Sequence, residues 1–174
     1  VIAKDEKSMT ELAKQFYLKS SKRKYIALVW GIIDDESGTI DERLARDPKN
    51  RLIMSVPSEE NEYGKQAITH YKVIERFNYL TLVECELETG RTHQIRAHMA
   101  HLGHSLIGDG LYGKRKKISN KAFNEEVFSL IKKFERQALH ASLLGFVHPI
   151  TKKPMKFSVE MPLDLQNLTK GLKT

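Results

Sequence analysis

The sequence predicts an α+β domain with a mixed, largely antiparallel central sheet flanked by helices. Three observations predict it. Apolar, β-branched runs typical of strands occur in mixed order along the chain with runs whose apolar residues recur at helical spacing. Most of the expected strands follow one another across short polar turns, as strands do in hairpins. No repeat and no interdomain linker interrupts the 174 residues, so we expect residues 1–174 to form a single domain.

The N-terminal part predicts a helix followed by a buried strand. Ser8 and Glu11 have the spacing of a capping box, and an apolar stripe follows them, so we expect a helix over residues 6–19. Residues 24–33 are β-branched and apolar on both faces, which is typical of a strand buried on both sides. The opening "VIAKD" resembles the end of another apolar strand.

The middle of the chain predicts a loop and then a pair of strands. Residues 39–65 are polar and contain two prolines, so we expect irregular structure with at most one edge hairpin. Residues 67–90 indicate two strands joined near residues 77–79. Cys85 falls on the inward face of the second strand, which favours a small core residue over a reactive thiol.

The C-terminal part predicts two helices, a hairpin and a last helix. Residues 92–102 have helical character, and Gly103 is a suitable residue to end that helix. Residues 120–134 have helical spacing, and residues 137–161 indicate a hairpin. Alternation predicts four inward side chains in the second hairpin strand, Met155, Phe157, Val159 and Met161, and the tail places Leu165, Leu168 and Leu172 on one helical face.

Charge and composition favour a polyanionic partner. The net charge is +7, and two basic clusters could contact phosphate: Lys22, Arg23 and Lys24 in the first, and Lys114, Arg115, Lys116 and Lys117 in the second. The alternative is a pair of solvated surface loops. One cysteine, no apolar run of membrane-spanning length and no signal-peptide pattern predict a cytoplasmic protein without a membrane partner.

The histidine-rich stretch at residues 87–104 raises the possibility of a metal site. Four histidines fall within it: His93, His98, His101 and His104. Zinc sites use three or four ligands in tetrahedral geometry, but cysteine or aspartate at ligand spacing and an HExxH pattern are both missing. We therefore expect no metal, and histidines that cap, hydrogen-bond or face solvent are the favoured alternative.

The same stretch also predicts an anion-binding helix end. The chain turns at Gly90 and enters a helix near Thr92, which puts Arg91, Thr92 and His93 at the positive end of the helix dipole. Arg96 lies at the border of the buried face, where a guanidinium needs a carboxylate. An ordinary structural salt bridge with a glutamate is the alternative for Arg96.

A long motif in this region carries a family resemblance. "LETGRTHQIRAHMAHLGHSLIGDGLYG" (87–113) closely resembles the C-terminal active-site motif of the RluA-like family of pseudouridine synthases. The flanks agree, since "KRKYIALVWG" (22–31) resembles the tyrosine-bearing strand of that family and "QALHASLLGFVHPITKKPMKF" (137–157) its closing hairpin. The resemblance covers essentially the whole chain.

The resemblance implies an isomerase that acts on RNA. The family converts uridine to pseudouridine in folded RNA, with no cofactor and no energy source. It implies ribosomal RNA of the large subunit as the first expected substrate, and transfer RNA as the second. An N-terminal RNA-binding domain of S4 type is common in the family, but nothing in residues 1–174 indicates one.

The resemblance also implies residue roles. Tyr25 matches the family tyrosine that stacks on the target uracil, although a core aromatic is the structural alternative. Arg96 matches the arginine that pairs with the catalytic aspartate. Ile95 matches an apolar residue at the base pocket, and the rest of the expected substrate-binding set is Arg91, Thr92, His93 and Gln94.

One family feature is missing. The nucleophilic aspartate lies in an "HRLD"-type motif, and this sequence has none. We therefore expect the 174-residue chain to be inactive by itself, and to be destabilised because Arg96 lacks its buried partner. A different class of function, a non-catalytic RNA-binding or ribosome-assembly module, is the alternative that the basic charge supports.

Overall fold

The structure is a computed structural model that describes residues 1–58, 63–113 and 124–173. The helices and strands follow one another along the chain in the order α1 (Glu6–Tyr17), β1 (Lys22–Trp30), β2 (Ser37–Arg46), β3 (Met54–Ser55), β4 (Lys65–Arg76), β5 (Leu80–Leu87), α2 (Gln94–His101), α3 (Glu125–Lys133), β6 (Leu139–Val147), β7 (Pro154–Ser158) and α4 (Leu163–Gly171). No helix in these ranges is both long and apolar enough to cross a membrane.

The strands form one seven-stranded sheet in the order β3-β2-β4-β5-β1-β6-β7. Every pair of neighbours is antiparallel. β4 and β5 form one hairpin and β6 and β7 another, while β1 lies in the middle between β5 and β6. The predicted α+β class with an antiparallel sheet is confirmed.

Helices cover both faces of the sheet. Because successive residues of a strand point to opposite faces, β1 contributes Ala27 and Val29 to one cluster and Leu28 to the other. The first cluster is closed by Ile95 and Met99 of α2. The second is closed by α3 and α4, through Val127, Ile131, Leu165 and Leu168. The leucine face predicted for the tail is therefore buried as expected.

The first helix forms where the sequence predicts it. Its N-cap is Asp5, whose carboxylate accepts from the backbone N–H of Ser8 at 2.8 Å and from the Ser8 hydroxyl at 2.8 Å. This satisfies one of the unpaired donors at the start of the helix. The expected helix is confirmed, with Asp5 as its N-cap in place of Ser8, and residues 1–5 form no strand.

The structure differs from two expectations about strands. The edge hairpin allowed for residues 39–65 is present, since β2 pairs with the two-residue edge strand β3, but most of the ten-residue β2 lies where irregular structure was expected. An edge strand of this kind can leave most of its side chains in water. Phe157 and Val159, predicted to point inward, are 51% and 60% exposed, because β7 lies at the opposite edge of the sheet.

Cys85 is a core residue, as predicted. Its side chain is fully enclosed in the cluster beneath α2. Burial raises the pKa of the thiol to about 12, with a smaller contribution from Glu84. The neutral thiol therefore persists at physiological pH, and a nucleophilic thiolate does not form.

Candidate active site

A buried glutamine joins the start of α2 to the strands beneath it. The Gln94 side-chain amide donates to the carbonyl of Ile68 at 2.9 Å and to the hydroxyl of Thr69 at 3.0 Å. Its oxygen accepts from the Thr89 hydroxyl and from the backbone N–H of Arg91. Both donors and both lone pairs are thus used, and Gln94 is only 2% exposed. Gln94 thus links the start of α2 to β4, and its expected contact with substrate stays a prediction.

The central feature of the site is a pair between Arg96 and Asp109. Arg96 donates from Nε to one carboxylate oxygen at 2.6 Å and from Nη2 to the other at 2.7 Å. The side chain of Asp109 is fully enclosed, and that of Arg96 is 11% exposed. The two residues come from α2 and from the loop after it, so this pair fixes the loop against the helix.

The loop that carries Asp109 lies along the central strand. The backbone N–H of Trp30 donates to Ser105, and that of Ile107 donates to Leu28. Gly108 then turns the chain with φ of +69°. A Cβ at this position would clash with the carbonyl of Arg136, so only glycine fits.

Asp109 remains ionised because it has several donors. Burial alone would raise its pKa, but the bonds from Arg96 and from the backbone N–H groups of Tyr112 and Leu111 hold the pKa below its usual value. The pair with Asp109 in turn raises the pKa of Arg96, against a smaller effect of burial. The site therefore contains a permanent, oriented ion pair.

Tyr112 covers this ion pair. The guanidinium carbon of Arg96 lies 4.8 Å from the centre of the Tyr112 ring, at the distance of a cation–π contact. The phenol oxygen accepts from the backbone N–H of Met54 at 2.7 Å and lies 3.1 Å from Nδ1 of His93. β3, α2 and the loop thus meet at one aromatic ring.

His93 has an unusual backbone and a half-buried ring. Its φ of 55° is in the left-handed region, and it precedes α2 without a side-chain cap. Burial is the main cause that lowers its pKa, followed by the positive charge of Arg96. The ring is therefore neutral near pH 7 and does not act as a cation there.

One nitrogen of Arg96 is left for a further acceptor. Nε and Nη2 bond to Asp109, and Nη1 has no hydrogen bond within the described residues. A second carboxylate or a polar group of a substrate could therefore be bound at Nη1 while the first pair stays intact. This gives the site the chemistry needed to position a second anion.

Tyr25 lies on the same face of the sheet as α2. It is half-buried, it is opposite Cys85 in the ladder with β5, and it packs against the cluster that contains Ile95. The ladder with β6 has an irregularity between Lys24 and Tyr25, where β6 contributes one extra residue, Ser142. Ile95 is only 4% exposed, so it supports this face more than it lines it.

The basic residues have different environments. Arg23 is buried, donates to the carbonyls of Leu87 and Glu88, and has a pKa lowered by burial, so the structure does not support its expected contact with RNA. Lys24 forms ion pairs with Glu84 at 2.6 Å and Glu86 at 3.5 Å. Lys22 is exposed. The second cluster, Lys114, Arg115, Lys116 and Lys117, lies outside the described residues.

The histidines of the motif are separated by their partners. His98 lies 2.9 Å from the Thr69 hydroxyl, His104 lies 2.8 Å from the carbonyl of Trp30, and His101 is exposed. Across residues 1–58, 63–113 and 124–173, no three His, Cys, Asp or Glu side chains form a group that could hold a metal ion.

The partner of Arg96 is the main difference from the sequence-based expectation. The expectation that Arg96 lacks a buried carboxylate is wrong, because Asp109 pairs with its Nε and Nη2. The expected destabilisation of the chain stays a prediction. The glycine–aspartate–glycine sequence at 108–110 and Tyr112 fall inside the recognised motif. The spacing of these residues from Arg96 along the chain does not reveal that they contact it, because the contacts depend on how the loop returns over α2.

Comparisons with known proteins agree on one family. A family model described as RNA pseudouridylate synthase matches residues 1–101. The chain is 43% identical over 173 residues to the uncharacterized RNA pseudouridine synthase YlyB of Bacillus subtilis, covering 99% of this chain and 51% of that protein. It is 46% identical over 172 residues to ribosomal large subunit pseudouridine synthase D of Zymomonas mobilis, covering 99% and 51%. The chain thus spans about half the length of the curated relatives it matches.

Solved structures give the same picture for the fold. Human RNA pseudouridylate synthase domain containing 1 aligns with a TM-score of 0.72 at 25% identity, over 95% of this chain and 64% of that one. Human RNA pseudouridylate synthase domain containing 4 aligns with a TM-score of 0.77 at 19% identity, over 97% and 69%. At these identities the likeness concerns chiefly the fold.

Proposed function

The chain belongs to the RNA pseudouridylate synthase family, and on that premise we propose that it forms the uridine-binding part of an RNA pseudouridine synthase. The proposed substrate is large-subunit ribosomal RNA, as the name of the Zymomonas mobilis relative suggests, and transfer RNA is the second choice. We also propose that residues 1–174 are one domain, the C-terminal portion of the catalytic domain, with RNA as the partner, no cofactor and a cytoplasmic location.

The arrangement around Arg96 is the observation that carries this proposal. The guanidinium is anchored by Asp109 and covered by Tyr112, and Nη1 has no hydrogen bond within the described residues. In the proposed function Nη1 binds the nucleophilic aspartate, keeps it ionised and aims it at the uridine. Arg96 would then bridge two carboxylates, one that orients it and one that reacts.

Tyr25 and Ile95 have supporting roles in the proposal. The Tyr25 ring stacks on the target uracil, which must first leave its stack in the RNA, and Ile95 supports the base pocket from within the core. The reaction breaks the bond from C1′ to N1 of uracil and forms one from C1′ to C5. The proton on C5 is lost and N1 gains one, so no atoms are gained or lost overall.

The nucleophile itself is not among the 174 residues. An aspartate in an HRLD-type context is absent from the sequence, and Asp109 is committed to Arg96. We therefore propose that residues 1–174 by themselves bind RNA but do not isomerise uridine. Activity belongs to an intact protein that also supplies that aspartate.

Tritium release tests the function directly. Large-subunit ribosomal RNA transcribed with [5-³H]uridine releases tritium when C5 loses its hydrogen. We expect release by the intact gene product that contains residues 1–174, and none by residues 1–174 alone. An intact protein that releases no tritium from ribosomal or transfer RNA would refute the proposal, and release by residues 1–174 would show that another residue is the nucleophile.

A non-catalytic RNA-binding or ribosome-assembly module is the second candidate. The net charge of +7 and the missing nucleophile motif favour it for the chain as it stands. One experimental result distinguishes this module from the enzyme proposed first. An intact gene product that binds ribosomal RNA tightly but releases no tritium would establish the module in place of the enzyme.

A further inference from the structure

We propose that a basic groove beside the active site binds a backbone phosphate of the RNA. The groove has a volume of about 650 Å³ and lies where the end of β2, the start of β4 and the connection from β5 to α2 meet. Three cationic side chains line it, Arg46, Lys65 and Arg91, together with Thr92. This proposal rests on the proposed function only in taking RNA as the partner.

The groove is uniformly positive along its described lining. Arg46, Lys65 and Arg91 come from three separate elements and are all exposed, and no described carboxylate lines the groove. Three like charges around one cavity repel one another, and an anion bound between them offsets that repulsion. A phosphate, with its full negative charge and several acceptor oxygens, has the chemistry to bind to them.

The cations are oriented but still have free donors. The Nε of Arg91 donates to the carbonyl of Gln66 at 3.0 Å, which leaves both terminal nitrogens of its guanidinium for a ligand. The Nη1 of Arg46 donates to the carbonyl of Arg51 at 2.9 Å, which leaves its other nitrogens. The ammonium of Lys65 forms no ion pair with any residue that the structure describes.

Two glycines and a hydroxyl complete the lining of the groove. Gly64 and Gly90 both line it, and a Cβ would meet the carbonyl of Leu44 at the first position and the guanidinium of Arg23 at the second. Thr92 adds an exposed hydroxyl that can donate to a phosphate oxygen. A narrow polyanion such as an RNA backbone fits this lining better than a bulky apolar ligand does.

The groove adjoins the site that holds Arg96. Met54 lines the groove and also a second cavity of about 620 Å³ that Tyr112 lines. Arg46 is close enough that its charge helps to lower the pKa of His93, after burial and Arg96. A phosphate in the groove would therefore belong to a nucleotide near the uridine in the site, where it would hold the backbone while the base turns.

Binding measurements on residues 1–174 test this proposal without catalysis. The probe is a fluorescein-labelled RNA hairpin of twenty nucleotides with a uridine-rich loop, titrated at several salt concentrations. Arg46→Gln and Lys65→Gln should each reduce the slope of log K against log salt by about 0.7 to 0.9 if each removes one phosphate contact. A reduction of this size in the slope means that the variant binds RNA about sixfold more weakly than wild type at 0.1 M salt, and that this difference vanishes near 1 M salt.

Two control variants make the result specific. Lys156→Gln removes an exposed lysine from β7, at the opposite edge of the sheet, and should leave the slope unchanged. Arg46→Lys keeps the charge and should retain the wild-type slope. The proposal is overturned if Lys65→Gln and Lys156→Gln have the same effect, or if Arg46→Lys loses as much as Arg46→Gln.

The alternative partner is an acidic protein segment. The proposal fails if the RNA hairpin does not bind while polyglutamate does, and if Arg46→Gln and Lys65→Gln weaken the binding of polyglutamate. The groove is then a protein-docking surface. Failure of tritium release by the intact protein, with the groove variants behaving as expected, would instead refute the catalytic function and leave the phosphate site in place.

Discussion

Arg96 and Asp109 form a two-bonded ion pair that is enclosed by the fold, with donor–acceptor distances of 2.6 and 2.7 Å. Arg136 and Asp164 form a pair with nearly the same geometry, 2.7 and 2.8 Å, at the surface. The side chains of the first pair are 11% and 0% exposed, and those of the second are 40% and 46% exposed. The molecule therefore contains its own matched control for the effect of burial on such a pair.

Removing the charge of Asp109 should destabilise the chain strongly. Asp109→Asn leaves a buried guanidinium without a counter-charge, and loss of one partner of a buried pair costs about 3–5 kcal/mol. Asp164→Asn should cost about 0–1 kcal/mol, because water replaces the lost partner at the surface. Urea unfolding of residues 1–174, with both variants measured at pH 7, gives the two free energies. Equal losses of unfolding free energy in Asp109→Asn and Asp164→Asn would mean that burial of the Arg96 pair has no energetic role.

Gly108 should be intolerant of a methyl group. It combines a φ of +69° with a backbone carbonyl of Arg136 where a Cβ would be, so Gly108→Ala requires the loop to move. We expect a loss of stability of about 2 kcal/mol or more. Gly110→Ala is the matched control, because nothing lies within 4 Å of a Cβ there, and its effect should stay within about 0.5 kcal/mol. Thermal unfolding of the two variants compares them directly.

His98 should make the stability of the chain depend on pH. It is fully buried, its Nδ1 lies 2.9 Å from the Thr69 hydroxyl, and burial lowers its pKa from 6.5 to about 4, against a smaller opposing effect of a hydrogen bond with the Glu42 backbone. The unfolded chain therefore binds a proton that the folded chain does not. The contribution of neutral His98 to the free energy of unfolding is fully present above pH 6.5, and it is lost as the pH falls from 6.5 toward about 4.

The size and source of this pH effect can be measured. A shift of this size corresponds to a change on the order of 3 kcal/mol in the free energy of unfolding. His98→Gln should flatten the fall between pH 7 and pH 4.5, whereas His101→Gln, on the exposed side of the same helix, should leave it unchanged. Parallel curves for wild type and His98→Gln would show that another group titrates.

Tyr25 variants separate stacking from the hydroxyl in the proposed reaction. In the intact gene product, Tyr25→Phe keeps the aromatic ring and should leave RNA affinity unchanged while tritium release slows. Tyr25→Leu should weaken binding as well, since stacking of one base on an aromatic ring contributes about 1–3 kcal/mol. Tyr17→Phe, which is 85% exposed on α1, is the control for loss of a phenol. Unchanged release by Tyr25→Leu would remove Tyr25 from the site.

Arg96→Lys tests the proposed anchor of the nucleophile. A lysine cannot bond to Asp109 through two nitrogens and also reach a second carboxylate. We expect tritium release by the intact protein to fall by about 100-fold or more, as for loss of a preorganised donor. The pH dependence of release should also move to higher pH, because a less well-paired aspartate has a higher pKa. A purely structural role would lower stability without moving that profile.

Sequence patterns predicted the elements that bury long apolar stretches or stripes. β1 is apolar on both faces, β5 alternates, and α1 and α4 carry apolar stripes, and each formed where it was expected. β2 was missed because most of its side chains face water, so polarity concealed its strand character. Gln94 was expected at the substrate, and the structure buries it, because its amide bonds to β4 and to the loop between β5 and α2.

The sequence by itself determined the family, the α+β class, the antiparallel hairpins and the stretch of chain that carries the site, because motif and periodicity are local properties of a chain. Only the tertiary structure decided that Asp109 is the partner of Arg96, that Tyr112 covers the pair, and that Arg23 is buried. Those contacts join residues whose separation along the chain says nothing about their distance in space. They exist because the 105–113 loop lies along β1 and returns over α2, and that path depends on the packing of the whole sheet.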